Sequence, residues 1–138
     1  MRIKGKTGLL VAIVLALIVV AGCSRSESSS ASAEEAALQP IQVELDVTPA
    51  AAKAGEPVTF TAKVTHNGEN VDDAKEVMFE FWNTDDDNAK HNQVQVKSAG
   101  NGTYVLEHTF KEPGTYEVIS HVTARDQHSM PSKQFTVE

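Results

Sequence analysis

From Pro40 to Glu138, apolar and polar residues alternate in short runs broken by turn formers. Ile41, Val43, Leu45 and Val47 give a first strand; Val58, Phe60, Ala62 and Val64 give a second that ends near His66. Val77, Phe79 and Phe81 mark one face of a third strand, with Met78, Glu80 and Trp82 on its other face. Val94 and Val96 give a fourth. Tyr104, Leu106 and Phe110 give a fifth, Tyr116, Val118, Ser120 and Val122 a sixth, and Phe135 and Val137 a last one near 133–137. Turn signals separate them: Pro49 to Pro57 with Gly55, Asn67-Gly68, the polar run Thr84 to Lys90, Gly100-Asn101-Gly102, and Pro113-Gly114. A period of two is the mark of half-buried strands, and no stretch here carries a helical period.

Short strands at this spacing predict an all-β fold, an immunoglobulin-like antiparallel β-sandwich of about seven strands. Trp82 on the third strand fits that fold. So does Pro113-Gly114-Thr115-Tyr116, which places Tyr116 for a tyrosine corner, its hydroxyl returning a hydrogen bond across the turn. The disulfide of antibody domains is absent, since Val118 and Ser120 stand where its cysteine would fall.

The first 40 residues are of a different kind. Arg2, Lys4 and Lys6 precede a continuous apolar run from Leu9 to Val20. That run is shorter than the roughly 20 residues that span a bilayer comfortably. Val20-Ala21-Gly22-Cys23 follows and resembles a lipobox. Small residues before a cysteine let a lipoprotein signal peptidase cut there, and the thiol takes a diacylglycerol. Cys23 is the one cysteine of the sequence, and it sits at that cut. The chain therefore divides into a signal peptide over 1–22, a lipidated Cys23 with a flexible Ser/Ala/Glu tether over 23–40, and one sandwich domain over 41–138.

This organisation predicts a protein anchored by acyl lipid to the cell membrane, on its extracytoplasmic face. From Cys23 onward 9 basic groups face 19 acidic ones, a net charge of −10. An acidic body disfavours nucleic acid as a partner. With no second cysteine the fold must hold by its core, which about 100 residues can do.

Enzyme signatures are missing. There is no Gly-x-Ser-x-Gly, no His-Glu-x-x-His and no phosphate-cradling glycine loop, so the sequence predicts no catalysis. Asp85-Asp86-Asp87 lacks the spacing and distal glutamate of an EF-hand and reads as a solvated loop.

The concentrated ligand chemistry is in His121, His128 and Met130. If Tyr116, Val118 and Val122 face inward, His121 faces outward, because strand side chains alternate. A hairpin turning at Asp126-Gln127 would set Thr123 opposite Met130 and Arg125 opposite His128. His121, His128 and Met130 then share one sheet face, with His121 and Met130 diagonal neighbours roughly 7–8 Å apart. A third strand beside the sixth brings Met78, Glu80 and Trp82 to the border of His121, with Met78 a candidate further ligand and Trp82 a shield. Two imidazoles with thioethers suit copper, since thioethers favour Cu(I) and imidazole accepts both oxidation states. His66 and His108 read as ordinary polar positions.

The same residues support a resemblance. Gly102-Thr103-Tyr104, Phe110, Gly114-Thr115-Tyr116-Glu117-Val118, His121-Val122-Thr123-Ala124-Arg125 and His128-Ser129-Met130-Pro131 resemble the YtkA-like family of extracytoplasmic domains, related to the FixH-like group. Val71 to Trp82 resembles that family's third-strand region, and the likeness covers Ile41 to Glu138. It implies an extracellular copper-binding role connected with respiratory oxidase assembly. It also implies ligands at His91, His121, His128 and Met130. Family members often carry Met where this chain has Gln127. At about 3.4 Å per residue, His91 lies 10 Å or more along the sheet from His121. It can join the site only if the 84–90 loop folds over the face.

Two functions follow as expectations. One is a lipid-anchored protein that binds copper and passes it to a receiving partner. The other is a metal-free interaction module, in which Met78, Trp82, Ile119 and His121 form an apolar patch for an envelope protein.

Overall fold

The computed structural model describes residues 39–138. The expected signal peptide, Cys23 and almost all of the expected tether lie outside the described residues. The described part is all β, with eleven strand segments. They are β1 (Gln42–Thr48), β2 (Ala51–Ala52), β3 (Pro57–His66), β4 (Glu69–Asn70), β5 (Glu76–Asn83), β6 (Asn92–Gln95), β7 (Ser98–Gly100), β8 (Thr103–Thr109), β9 (Gly114–Ala124), β10 (Gln127–Ser129) and β11 (Ser132–Val137). The seven predicted strands are β1, β3, β5, β6, β8, β9 and β11.

They form two sheets. The first runs β1-β3-β8-β7, with β4 added to β3; the second runs β2-β11-β9-β5-β6, with β10 added to β9. β2 pairs with β11 in parallel, and every other pairing is antiparallel. This is the sandwich of immunoglobulin-like type that the alternation predicts, without a disulfide.

The alternating apolar faces meet between the sheets. Phe60 of β3 is fully buried at their centre. Its ring centroid lies 5.4 Å from Phe135, 5.5 Å from Phe81 and 5.8 Å from Phe79. Val58, Val64, Val77, Val118 and Val122 complete the layer. Ser120 is the one buried polar residue among the described residues, and its hydroxyl has no hydrogen-bond partner there.

Two tyrosines lock the connections. The Tyr116 hydroxyl donates to the Glu112 carbonyl at 2.9 Å, closing the predicted corner. The Tyr104 hydroxyl donates to the Val71 carbonyl at 2.9 Å and accepts from the Ala74 amide, pinning the long connection before β5. On β5 the inward place falls to Phe81, and Trp82 stands on the outer face.

Candidate metal centre

β9 lies between β5 and the β10–β11 segment, so its outward residues have neighbours on both sides. Met78 of β5 pairs directly with His121 of β9, and Glu80 pairs with Ile119. On the other side the hairpin differs from the sequence expectation. Its turn is Arg125-Asp126, both with positive φ (52° and 56°), the pattern of a two-residue type I′ hairpin. The pairing is Gln127 with Ala124, His128 with Thr123 and Ser129 with Val122. Relative to the expected register the strand has slipped by two residues. Two is even, so every side chain keeps its face.

The slip brings the candidate ligands closer in register. β11 continues the same register, with Ser132 opposite Ile119, and the Ser120 amide donates to the Pro131 carbonyl at 3.0 Å. Met130 therefore falls directly opposite His121, where a diagonal relation was expected. His128 becomes the diagonal neighbour, its ring centroid 6.0 Å from that of His121. His121 thus has a methionine opposite it on each side and an imidazole on one diagonal. Met130 is 52% exposed, so its thioether is open to solvent.

His91 joins this face without a loop closing over it. Asn92 of β6 pairs with Phe81, which places His91 alongside Trp82. The two rings stack at 4.0 Å with planes 5° apart. His91 Nδ1 lies 2.6 Å from Glu80 Oε1, and His121 Nε2 lies 2.7 Å from Glu80 Oε2. One carboxylate spans the gap that the count of residues along the sheet had left open.

Glu80 is the residue that the sequence reading placed at the border and gave no role. Hydrogen bonding from His91 holds its carboxyl below the ordinary glutamate range, against the raising effect of burial, with His121 and Gln93 adding to the lowering. Its signal was its outward position on a strand flanked by His121 of β9 on one side and by His91, the residue before β6, on the other. Among the described residues, no group of three His, Cys, Asp or Glu side chains converges to hold a metal ion. What stands around His121 instead is His128 on one diagonal and, at the opposed positions on either side, Met78 and Met130.

Each imidazole keeps one nitrogen outside these contacts. His91 and His121 each give one nitrogen to Glu80, and His128 gives Nδ1 to the Thr123 hydroxyl at 2.8 Å. His91 Nε2, His121 Nδ1 and His128 Nε2 remain. Imidazole nitrogen beside thioether sulfur, as at His121, His128, Met78 and Met130, is donor chemistry of the kind that suits copper.

The other candidates fall elsewhere. His66 Nε2 lies 3.0 Å from the Gln39 carbonyl at the surface. His108 points inward against Phe81 and Phe110, at 4.7 and 4.8 Å, and burial lowers its pKa. Asp85 accepts from the Thr115 amide and so ties its loop to the start of β9, while Asp86 accepts from the Asn88 amide within the loop.

A family model described as YtkA-like matches residues 35–121, which include His91 and His121 and end before His128. No curated protein matches the chain. Among solved structures, the PmoD soluble domain from Methylocystis sp. ATCC 49242 (Rockwell) superposes with a TM-score of 0.46 at 14% identity, over 73% of this chain and 93% of that one. Superoxide reductase (neelaredoxin) from Ignicoccus hospitalis gives 0.46 at 16% identity, over 71% and 80%. The alkylpurine DNA glycosylase AlkC of Pseudomonas fluorescens gives 0.48 at 13% identity, over 71% of this chain and 30% of that one. At these scores the likenesses carry no argument about function.

Proposed function

The chain belongs to the YtkA-like family, and from that premise we propose that it is a lipid-anchored extracytoplasmic protein that binds copper as cargo. The site is the outer face of the second sheet. His121 is its centre, with His128, Met130 and Met78 as the other ligands, and the protein hands the ion to a receiving partner without catalysis of its own. Neither nucleic acid nor a tightly held cofactor belongs to this reading. Cys23 carries the acyl lipid that keeps the domain at the membrane.

The observation that supports it is the single register through β10 and β11. It sets Met130 opposite His121 while Met78 pairs with His121 from β5. Soft sulfur on both sides of an imidazole favours Cu(I) over zinc, which recruits His with carboxylate or thiolate. A half-exposed Met130 gives the ion a way in and out. A metal-free docking face has less to work with. Among the described residues the large apolar side chains left exposed are Val105 and Met130, on the outer faces of different sheets. They do not form the contiguous patch that marks an interface.

Titration of Cu(I) into the full chain in mild detergent, against a competing chelator, tests the reading. Wild type is expected to bind one ion per chain, and His121→Ala with Met130→Ala to lose at least a hundredfold in affinity. Wild-type-like binding by the double variant removes these residues from the site. No uptake by wild type rejects the reading. Cys23→Ala is expected to abolish acyl-lipid incorporation and to leave the signal peptide uncut.

A further inference from the structure

Glu80 stands one outward position along β5 from Met78, and its side chain is only 14% exposed. Its two carboxylate oxygens are divided between two imidazoles, one from each neighbouring segment. This division explains why no carboxylate–histidine trio converges on a metal position: the carboxylate lies between the rings and takes a nitrogen from each.

A neutral imidazole carries one N–H and one lone pair, and an ionised carboxylate only accepts. The nitrogen that meets Glu80 must therefore be the protonated one. For His121 that is Nε2, which leaves Nδ1 with the lone pair. For His91 it is Nδ1, which leaves Nε2. Metal-binding histidines commonly donate their other N–H to a carboxylate, which orients the ring and makes the ligating nitrogen a better donor.

We propose that Glu80 is a positioning residue that fixes His121 as the Nε2–H tautomer, so that Nδ1 is its metal-binding atom, with His91 holding the carboxylate from the far side. The consequence for metal rests on the copper reading above; the hold on the tautomers does not. His91 thereby changes role, from the ligand that the family resemblance implies to a brace. Trp82 fixes the plane of that brace by stacking on it. The negative charge of Glu80, beside a site otherwise built of imidazole and thioether, also offsets the charge of a bound cation. The chain His91–Glu80–His121 is the support that makes a surface histidine a defined ligand.

The test reads tautomers in the metal-free protein. Full-length chain with 15N-labelled histidine, in mild detergent at a pH where the imidazoles are neutral, is expected to show His121 as Nε2–H and His91 as Nδ1–H. The second is the more telling, since an unconstrained histidine prefers its proton on Nε2. Glu80→Gln keeps the shape of the side chain but presents one amide oxygen and one NH2. It cannot accept from both rings, so one ring is expected to reverse its tautomer or lose the bond, and Cu(I) affinity to fall by about 10- to 100-fold. His91→Ala keeps the Glu80–His121 bond and is expected to leave His121 as Nε2–H, with a smaller fall in affinity.

Finding His91 as Nε2–H in wild type, or both tautomers and the Cu(I) affinity unchanged in Glu80→Gln, overturns the assignment. A fall in His91→Ala as large as in Glu80→Gln overturns it too, by making His91 a ligand. Wrong tautomers with Cu(I) uptake intact reject the role of Glu80 alone. Right tautomers with no uptake by wild type reject the copper reading.

Discussion

On the outer face of the first sheet, Gln42, Glu44 and Asp46 of β1 and Val105, Glu107 and Thr109 of β8 stand exposed. On the outer face of the second, Met78, Glu80, Trp82, Ile119 and His121 are all partly covered. Both faces come from the same alternation over the same core. They differ in what the outward side chains do for one another. On the first face polar groups mostly meet water, and the ion pair of Asp46 with Lys133 is an exposed one of the kind that contributes little. On the second a carboxylate takes two imidazoles, an indole takes one of those rings, and two methionines flank the other. Outward alternation makes a surface; mutual engagement of the outward side chains makes a site.

Three measurements sharpen that contrast. The largest effect is expected where the two faces share support. Phe60 packs on Phe79, Phe81, Phe110 and Phe135, so Phe60→Ala is expected to cost about 3–5 kcal/mol in urea unfolding. Copper binding should be lost with the fold. An unchanged urea midpoint would contradict a core common to both faces.

Acid tests the bonds of the second face. Glu80 is held below its ordinary value near 4.5 in the folded protein. Its contribution to stability is then complete above that ordinary value and is lost as pH falls through the depressed folded value, where the unfolded chain binds more protons. Urea midpoints measured downward from about pH 5 should fall more steeply in wild type than in Glu80→Gln. Parallel profiles for wild type and Glu80→Gln would show that the bonds to Glu80 do not stabilise the fold.

The smallest effect belongs to the first face alone. Val105 is 40% exposed, and Val105→Thr is expected to change stability by no more than about 0.5 kcal/mol and copper affinity not at all. A larger change in affinity would mean that the two faces are coupled.

The long strands were legible because burial on one side forces alternation, and β3, β5, β8 and β9 show it over most of their length. The short segments β2, β4, β7 and β10 were not. Two or three residues carry no period, and β2 exists through backbone bonds such as that from the Glu138 amide to the Ala52 carbonyl. The outward face of His121 was legible for the same reason as the strands. The hairpin register was missed by two because Arg125-Asp126 lacks the Asn-Gly or Asp-Gly signature of its turn type. His91 looked remote because distance was counted along the strands, whereas Glu80 connects the residues across them. A glutamate on a strand reads as solvated until the flanking registers are known.

The hairpin turn has a consequence outside chemistry. Arg125 and Asp126 form a two-residue loop between strands whose side chains alternate. Opposed residues of a hairpin share a face, so a longer loop that keeps Ala124 opposite Gln127 would leave His128 and Met130 where they are. What acts as a parity bit is the register. A slip by two slides His128 and Met130 along the same face, as a vernier slides against its scale. A slip by one turns the strand over, and since β11 keeps the same register it would also expose Phe135 and Val137. A lineage can thus vary the spacing of such a surface in even steps, while the core forbids odd ones.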